Sequence, residues 1–80
     1  MRVVSQDGQV DMPYDSIIIN RDGGVVIANI VGEEEGAIVV AEYSDEKHAG
    51  SEMIRLRREY TLGGSEFKFK SEVDFKMRAL

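Results

Sequence analysis

Three β-branched runs in the first half of the chain constrain its fold more than any other feature of the sequence. Residues 17–19 read Ile-Ile-Ile, residues 25–31 read Val-Val-Ile-Ala-Asn-Ile-Val, and residues 37–41 read Ala-Ile-Val-Val-Ala. β-Branched side chains favour extended backbone because they pack well on a pleated surface. Short glycine-bearing segments connect the runs, as they do between neighbouring strands. The runs therefore predict an antiparallel β-meander.

A hairpin is predicted at the N-terminus. Residues 2–5 and 9–12 flank Asp7-Gly8, a dipeptide that favours hairpin turns because glycine tolerates positive φ. Pro13 ends this segment because it has no N–H to donate to a ladder. The β-rich part of the chain is thus expected to span residues 1–43.

One helix is predicted over residues 45–62. Ser44 is the predicted N-cap, since its hydroxyl can accept from an unpaired N–H of the first turn. Gly63-Gly64 is the predicted end of the helix. Spacings of four, three and four place a set of apolar residues on one face, namely Ala49, Met53, Leu56 and Tyr60.

Residues 66–80 are predicted to form a short strand or a tail. Phe67 and Phe69 alternate with lysines, and Val73, Phe75 and Met77 continue the period of two. With only 80 residues the chain is expected to be one small domain of the α+β class. The expected architecture is an antiparallel meander of four to six strands with one amphipathic helix packed on it.

The composition of the chain excludes several classes of protein. The chain has no cysteine, so disulfides, thiol catalysis and thiolate metal ligands are excluded. It has no apolar run near twenty residues and no charged-then-apolar leader, so neither a membrane span nor a signal peptide is expected, and no membrane partner is predicted.

The β-branched runs are apolar at consecutive positions, so both faces of the predicted sheet carry hydrophobic side chains. One helix can cover only one of these faces. Large uncovered apolar patches are rare on monomers, so a homodimer or higher oligomer is predicted.

Charge is divided unevenly along the chain. The formal net charge is −5, but residues 1–46 hold ten acids and two bases, while residues 47–80 hold eight bases and five acids. The acidic total disfavours direct nucleic-acid binding, whereas the basic second half leaves room for a local anion site.

No pattern of catalytic residues is present. His48 is the only histidine and has no obvious metal-ligating or catalytic partner in the sequence. The chain lacks a Gly-x-Ser-x-Gly elbow and a phosphate-binding glycine loop. The acidic run at residues 33–35 fits a solvated loop tip better than a calcium loop. A non-enzymatic protein without metal or cofactor is therefore expected.

A basic stripe on the helix is the first candidate site. Lys47, Ser51, Arg55 and Arg58 recur at spacings of four, four and three, opposite the predicted apolar face. Arginine can hold a phosphate or carboxylate with two parallel hydrogen bonds. The predicted ligand-binding residues are Arg21, Arg55 and Arg58. Alternatively, the stripe only complements the acidic half of the chain.

The N-terminal hairpin is the second candidate. Its acids and rigid proline are denser than a hairpin alone requires, so a recognition surface is predicted at Asp7, Asp11 and Tyr14. The alternative is a plain hairpin.

These N-terminal residues also carry a resemblance. Residues 1–8 read Met-Arg-Val-Val-Ser-Gln-Asp-Gly, residues 11–14 read Asp-Met-Pro-Tyr, and Tyr43-Ser44 precedes the helix. The combination resembles a family of small uncharacterised proteins of phages and prophages of Gram-positive bacteria. That resemblance implies a phage-borne protein in the cytoplasm of a bacterial host cell, and it implies no activity.

Three functions remain open from the sequence. The first is a phage accessory protein that counters host defence by sequestering an anionic nucleotide signal. The second is an acidic inhibitor that binds a nucleic-acid-binding host protein. The third is a structural or assembly accessory without a ligand, in which the oligomer itself is the function.

Overall fold

The computed structural model describes residues 1–33 and 36–71, which form six strands and one α-helix. In chain order these are β1 (Arg2–Val4), β2 (Asp11–Pro13), β3 (Ile17–Asp22), β4 (Val25–Ile30), β5 (Ile38–Glu42), α1 (Glu46–Thr61) and β6 (Glu66–Lys68). A single 3₁₀ turn, Tyr14–Ser16, links β2 to β3. The α+β class with one helix packed on a meander is confirmed.

The three β-branched runs form an antiparallel sheet in the order β3-β4-β5. A two-residue turn, Gly23-Gly24, joins β3 to β4, and Ile17 lies opposite Ile30 at the far end of the pair. On β5 one extra residue, Val40, stands between the partners of Val26 and Ile27, which makes a β-bulge. The meander is thus as predicted, with an irregularity at its β5 edge.

The other strands form a second sheet in the order β2-β1-β6. β1 and β2 are antiparallel with Val3 opposite Met12, so the N-terminal hairpin is confirmed, and Gly8 at its tip has a φ of +76°. β6 lies parallel to β1, with Phe67 opposite Val3. A parallel pair needs a crossover, and here the connection from β1 to β6 includes β2, the meander and α1.

Gln6 joins the two sheets. Its backbone N–H donates to the Val40 carbonyl at 2.7 Å, within the bulge of β5. Its side-chain amide accepts from the Glu42 N–H at 3.0 Å and donates to the Glu42 carbonyl at 3.1 Å. The same amide nitrogen lies 3.1 Å from the Lys70 carbonyl, so one side chain connects β5 to the segment that follows β6.

Helix α1 begins one residue later than predicted. Asp45, not Ser44, is the N-cap: its carboxylate accepts from the Lys47 N–H at 2.6 Å. Both residue types cap well, and here the extended backbone of Asp45 places its oxygen at the first turn. The predicted end is confirmed, because Gly63, at φ +78°, donates to the Tyr60 carbonyl and Gly64 to the Glu59 carbonyl.

The buried face of α1 differs from the predicted one. Ala49 and Leu56 are buried as expected, but Met53 is half-buried and Tyr60 is 46% exposed. The third buried residue of the helix is Glu52, at 1% exposure. An apolar period cannot reveal an acid that is buried because it has partners.

The core lies between the meander, the second sheet and α1. Its buried apolar members come from all three, namely Val3, Met12, Val26, Ala28, Val40, Ala41, Tyr43, Ala49, Leu56, Phe67 and Phe69. The outer face of the meander has no cover from the described residues, since Ile18 is 55% and Val39 is 52% exposed. Sequence-based expectations for residues 72–80, and for Glu34 and Glu35, lie outside the described residues.

Candidate ligand-binding groove

Strand β3 and helix α1 lie side by side and run in opposite directions. At one end, Tyr14, just before β3, stacks on Tyr60 near the end of α1, with ring centroids 4.4 Å apart. At the other end, Arg21 near the end of β3 lies 3.6 Å from the carboxylate of Glu46, the first residue of α1. The space between these two contacts is called here the β3–α1 groove.

Two adjoining hollows make up the groove, since Met53 and Arg57 line both. The hollow at the tyrosine end has a volume of about 300 Å³ and the more open one at the Glu46 end about 630 Å³. Its floor is largely apolar, contributed by Ile17, Ile19, Met53, Ile54 and Leu56. Two regularities produce this floor. Alternate side chains of β3 point toward the core, and the apolar residues at the border of the buried face of α1 lie beside them.

Three cationic side chains border this apolar floor. Arg21 and Lys47 line the wider hollow, and Arg57 lies between the two hollows. All three residues are exposed. The Arg21 guanidinium also donates to the Gly23 carbonyl at 2.9 Å, which fixes its position at the end of β3. The one acid paired with this set is Glu46, so the groove carries an excess of positive charge among the residues described.

The aromatic end of the groove has a polar margin. The Tyr60 hydroxyl donates to the Asp15 carboxylate at 3.3 Å. The negative charge of Asp15, together with this hydrogen bond, raises the pKa of Tyr60 above its ordinary value. The phenol is therefore a donor throughout the neutral range.

Arg55 lies outside the groove and has a structural role. Its guanidinium donates two hydrogen bonds to the Glu52 carboxylate, at 2.7 and 2.8 Å, and a third to the Lys68 carbonyl at 2.6 Å. It also covers the Phe67 ring, 4.2 Å from the centroid. The Glu52 hydrogen bonds raise the pKa of Arg55 above its ordinary value.

Glu52 is the centre of this cluster, which joins α1 to β6. Besides Arg55, its carboxylate accepts from the Lys70 N–H at 2.6 Å, and the Tyr43 hydroxyl donates to the Lys70 carbonyl at 2.7 Å. Sequence reasoning missed Glu52. The signal was the acid three residues before an arginine, which matches a helical ion pair.

The structure does not bring the predicted ligand-binding residues together. Arg21 lies in the groove and Arg55 in the Glu52 cluster, while Arg58 is exposed and does not line the groove. Of the predicted basic stripe, Lys47 and Ser51 do line the wider hollow. Arg57 was not singled out, because it sits off the spacing of the stripe.

The predicted recognition residues have separate surroundings. The Asp7 carboxylate accepts from the Ser5 hydroxyl at 2.6 Å and from the Gln9 N–H at 2.9 Å, and these bonds lower its pKa. Asp11 forms an exposed ion pair with Arg2 at 2.7 Å. Tyr14 lies in the groove, so it is the one member of this set next to the cations.

Within residues 1–33 and 36–71 no group of three or more metal-ligating side chains could hold an ion. No helix in the same part of the chain is long and apolar enough to cross a membrane. No protein-family model, curated protein or solved structure matches the sequence or the fold.

Proposed function

We propose that this protein is a non-enzymatic binding protein that holds an anionic ligand in the β3–α1 groove. The observation that carries the proposal is the arrangement of Arg21, Lys47 and Arg57 around an apolar floor. Small-molecule and peptide sites typically combine an apolar lining with a few polar groups that fix orientation. Here the charged side chains in the lining are all cations, which select an anion.

The side chains that line the groove suit the binding of a ligand rather than catalysis. Among the described residues its lining contains no carboxylate, imidazole or thiol, and the Glu46 carboxylate at its end is paired with Arg21, so the groove offers no ordinary general base and no activated nucleophile. In the part of the chain that the structure describes, Ser51 is the one hydroxyl that α1 contributes to the lining. A ligand held in this site would leave unchanged, which is the behaviour of a carrier, sensor or sequestering protein.

A nucleotide is one ligand that fits this description. Arginine pairs with phosphate through two parallel hydrogen bonds, and the exposed Tyr60 ring at the other end offers an aromatic surface. In a phage-borne protein, as the resemblance of residues 1–14 implies, sequestration of a host nucleotide signal would counter defence.

Amide chemical-shift mapping with labelled protein tests the proposal. The probes are ADP, a cyclic dinucleotide and a capped acidic hexapeptide, each titrated at physiological salt so that unspecific attraction is screened. At least one probe is expected to cause saturable shifts that cluster at Arg21, Lys47, Met53 and Arg57.

Two variants distinguish binding in the groove from unspecific attraction to the positive charge of the helix. The double variant Arg21→Gln, Arg57→Gln is expected to weaken binding of that probe at least tenfold. Arg58→Gln serves as the matched control, since Arg58 is an exposed cation on the same helix outside the groove. Equal losses in both variants, or no saturable shift with any probe, would contradict the proposal.

A further inference from the structure

Among the residues that the structure describes, the backbone groups on the outer edge of β3 have no hydrogen-bond partner. The Val31 N–H donates to the Ser16 carbonyl, and the Tyr43 N–H donates to the Gly24 carbonyl. In an antiparallel pair, the N–H and C=O groups of every second residue bond to the neighbouring strand. These two bonds fix which residues of β4 face β3, so β3 pairs with β4 through the backbone groups of Ile18, Asn20 and Asp22. The N–H and C=O groups of Ile19 and Arg21 therefore point away from the sheet.

Edge strands are commonly protected against pairing with another chain. On the opposite edge of the meander, β5 has a bulge and is capped by Gln6. β3 has neither device in the described part of the chain: it is a regular six-residue strand that begins Ile-Ile-Ile. Its edge is available for pairing.

This edge forms one wall of the groove. Ile17, Ile19 and Arg21 line the groove with their side chains, and the backbone groups of the same residues face outward. Six residues of β3 span about 20 Å. The facing stretch of α1, from Lys47 to Tyr60, also spans about 20 Å. A groove this long exceeds one nucleotide and matches an extended segment of about six residues.

We propose that the groove receives an extended acidic segment of a partner protein, which pairs with β3 as a fourth strand of the meander. The inference rests on the proposed function and specifies the class of ligand. Backbone hydrogen bonds to Ile19 and Arg21 give affinity, and the pockets select alternate side chains. The segment carries apolar side chains toward Met53 and acidic ones toward Lys47 and Arg57.

Charge complementarity favours this partner over a second copy of the chain. A copy pairing through its own β3 would bring Arg21 together with the neighbouring acid Asp22, so it offers the groove no excess of negative charge. An acidic segment instead meets three cations, to which Glu46 is the one acid paired in the described part of the chain.

Two capped hexapeptides of opposite sequence order, Val-Thr-Val-Thr-Glu-Glu and Glu-Glu-Thr-Val-Thr-Val, are the probes, because the strand direction follows from which one binds. One of them is expected to bind saturably. Hydrogen exchange at the Ile19 and Arg21 amides is then expected to slow at least tenfold at saturation. The Ile18 and Asn20 amides, already paired with β4, serve as internal controls.

Backbone methylation of the bound peptide supplies the second readout. Methyl groups on the amides that face β3 are expected to weaken binding at least tenfold, whereas methylation of the alternate amides leaves it within about twofold. Binding without protection of Ile19 and Arg21, or insensitivity to methylation, overturns the strand-pairing inference. Saturable binding of a nucleotide but of neither peptide overturns it too, and leaves the groove proposal standing. Absence of binding by peptides and nucleotides alike overturns both.

Discussion

Two arginines on one helix show how surroundings assign a role that sequence spacing cannot. Arg55 fits the basic stripe, yet its guanidinium is engaged by Glu52, the Lys68 carbonyl and the Phe67 ring. Arg57, two residues later, is exposed and borders the groove. Sequence identified the helix and its positive charge. It did not identify Arg57 as the cation at the site. The burial of Glu52, which engages Arg55, leaves no trace in the apolar pattern of the helix.

The first residue-scale prediction concerns Glu52. Glu52→Gln removes the charge that pairs with Arg55 while keeping an oxygen for the Lys70 N–H. We expect the free energy of unfolding to fall by about 2 kcal/mol, since Glu52 is buried and the partly buried Arg55 guanidinium loses its carboxylate partner. Urea unfolding measures the change. Glu66→Gln, at an exposed acid of β6, is the control and should change it by less than about 0.5 kcal/mol; equal effects would refute the role given to Glu52.

The second residue-scale prediction concerns pH. Asp15 raises the pKa of Tyr60, so the folded state holds this phenolic proton more tightly than the unfolded state does. The resulting contribution to stability is complete below the unfolded value, near pH 10, and is lost as the pH rises through the raised pKa. Asp15→Asn should lower the Tyr60 pKa toward its ordinary value. Ultraviolet titration, with Tyr60→Phe identifying the signal, measures this; an unchanged midpoint would contradict it.

At the scale of elements, local patterns predicted most of the fold and none of the long-range pairing. The β-branched runs, the Asp7-Gly8 hairpin and the Gly63-Gly64 helix end all depend on neighbouring residues, and all appear in the structure. The parallel pairing of β6 with β1 joins segments about sixty residues apart, so no local signal encodes it. The groove depends on the same long-range packing, which explains why it could not be predicted.

Alanine substitutions at two glycines are expected to change the stability of the protein in opposite directions. A Cβ on Gly24 would overlap the Tyr43 carbonyl where β4 and β5 begin to pair, whereas a Cβ on Gly50 would meet nothing. We expect Gly24→Ala to destabilise the protein by about 1–3 kcal/mol, since the backbone must shift. Gly50→Ala should stabilise it by about 1 kcal/mol, because alanine is the better helix former. Thermal unfolding of the pair measures both, and a shared sign would contradict the placement of β4 against β5.

At the scale of the whole molecule, the meander has two very different faces. One packs on the core and borders the groove, while the other exposes β-branched side chains, among them Ile18 and Val39. The sequence predicts this two-sided pattern, and the outer face has no cover from the described residues. The groove and this face are separate surfaces, so occupation of one leaves the other accessible.

The whole-molecule prediction is self-association through the outer face. Light scattering at tens of micromolar is expected to give a homodimer or larger oligomer, because burying such a face removes apolar surface from water. Val39→Lys should shift the protein to a monomer, whereas Glu66→Lys, at an exposed residue of β6 in the other sheet, serves as the matched control. A monomeric wild-type protein under these conditions would end the oligomer prediction.

The measurement that tests the binding site most directly is a spectrum of the arginine side chains during titration with inorganic pyrophosphate. Each guanidinium gives its own Nε–Hε signal, so a single experiment compares Arg21 and Arg57 with Arg55 and Arg58. The signals of Arg21 and Arg57 should move saturably at physiological salt, while those of Arg55, held by Glu52, and of Arg58, outside the groove, stay in place. Movement centred on Arg55 or Arg58, or equal and unsaturable movement of all four, would contradict the β3–α1 groove as the anion site.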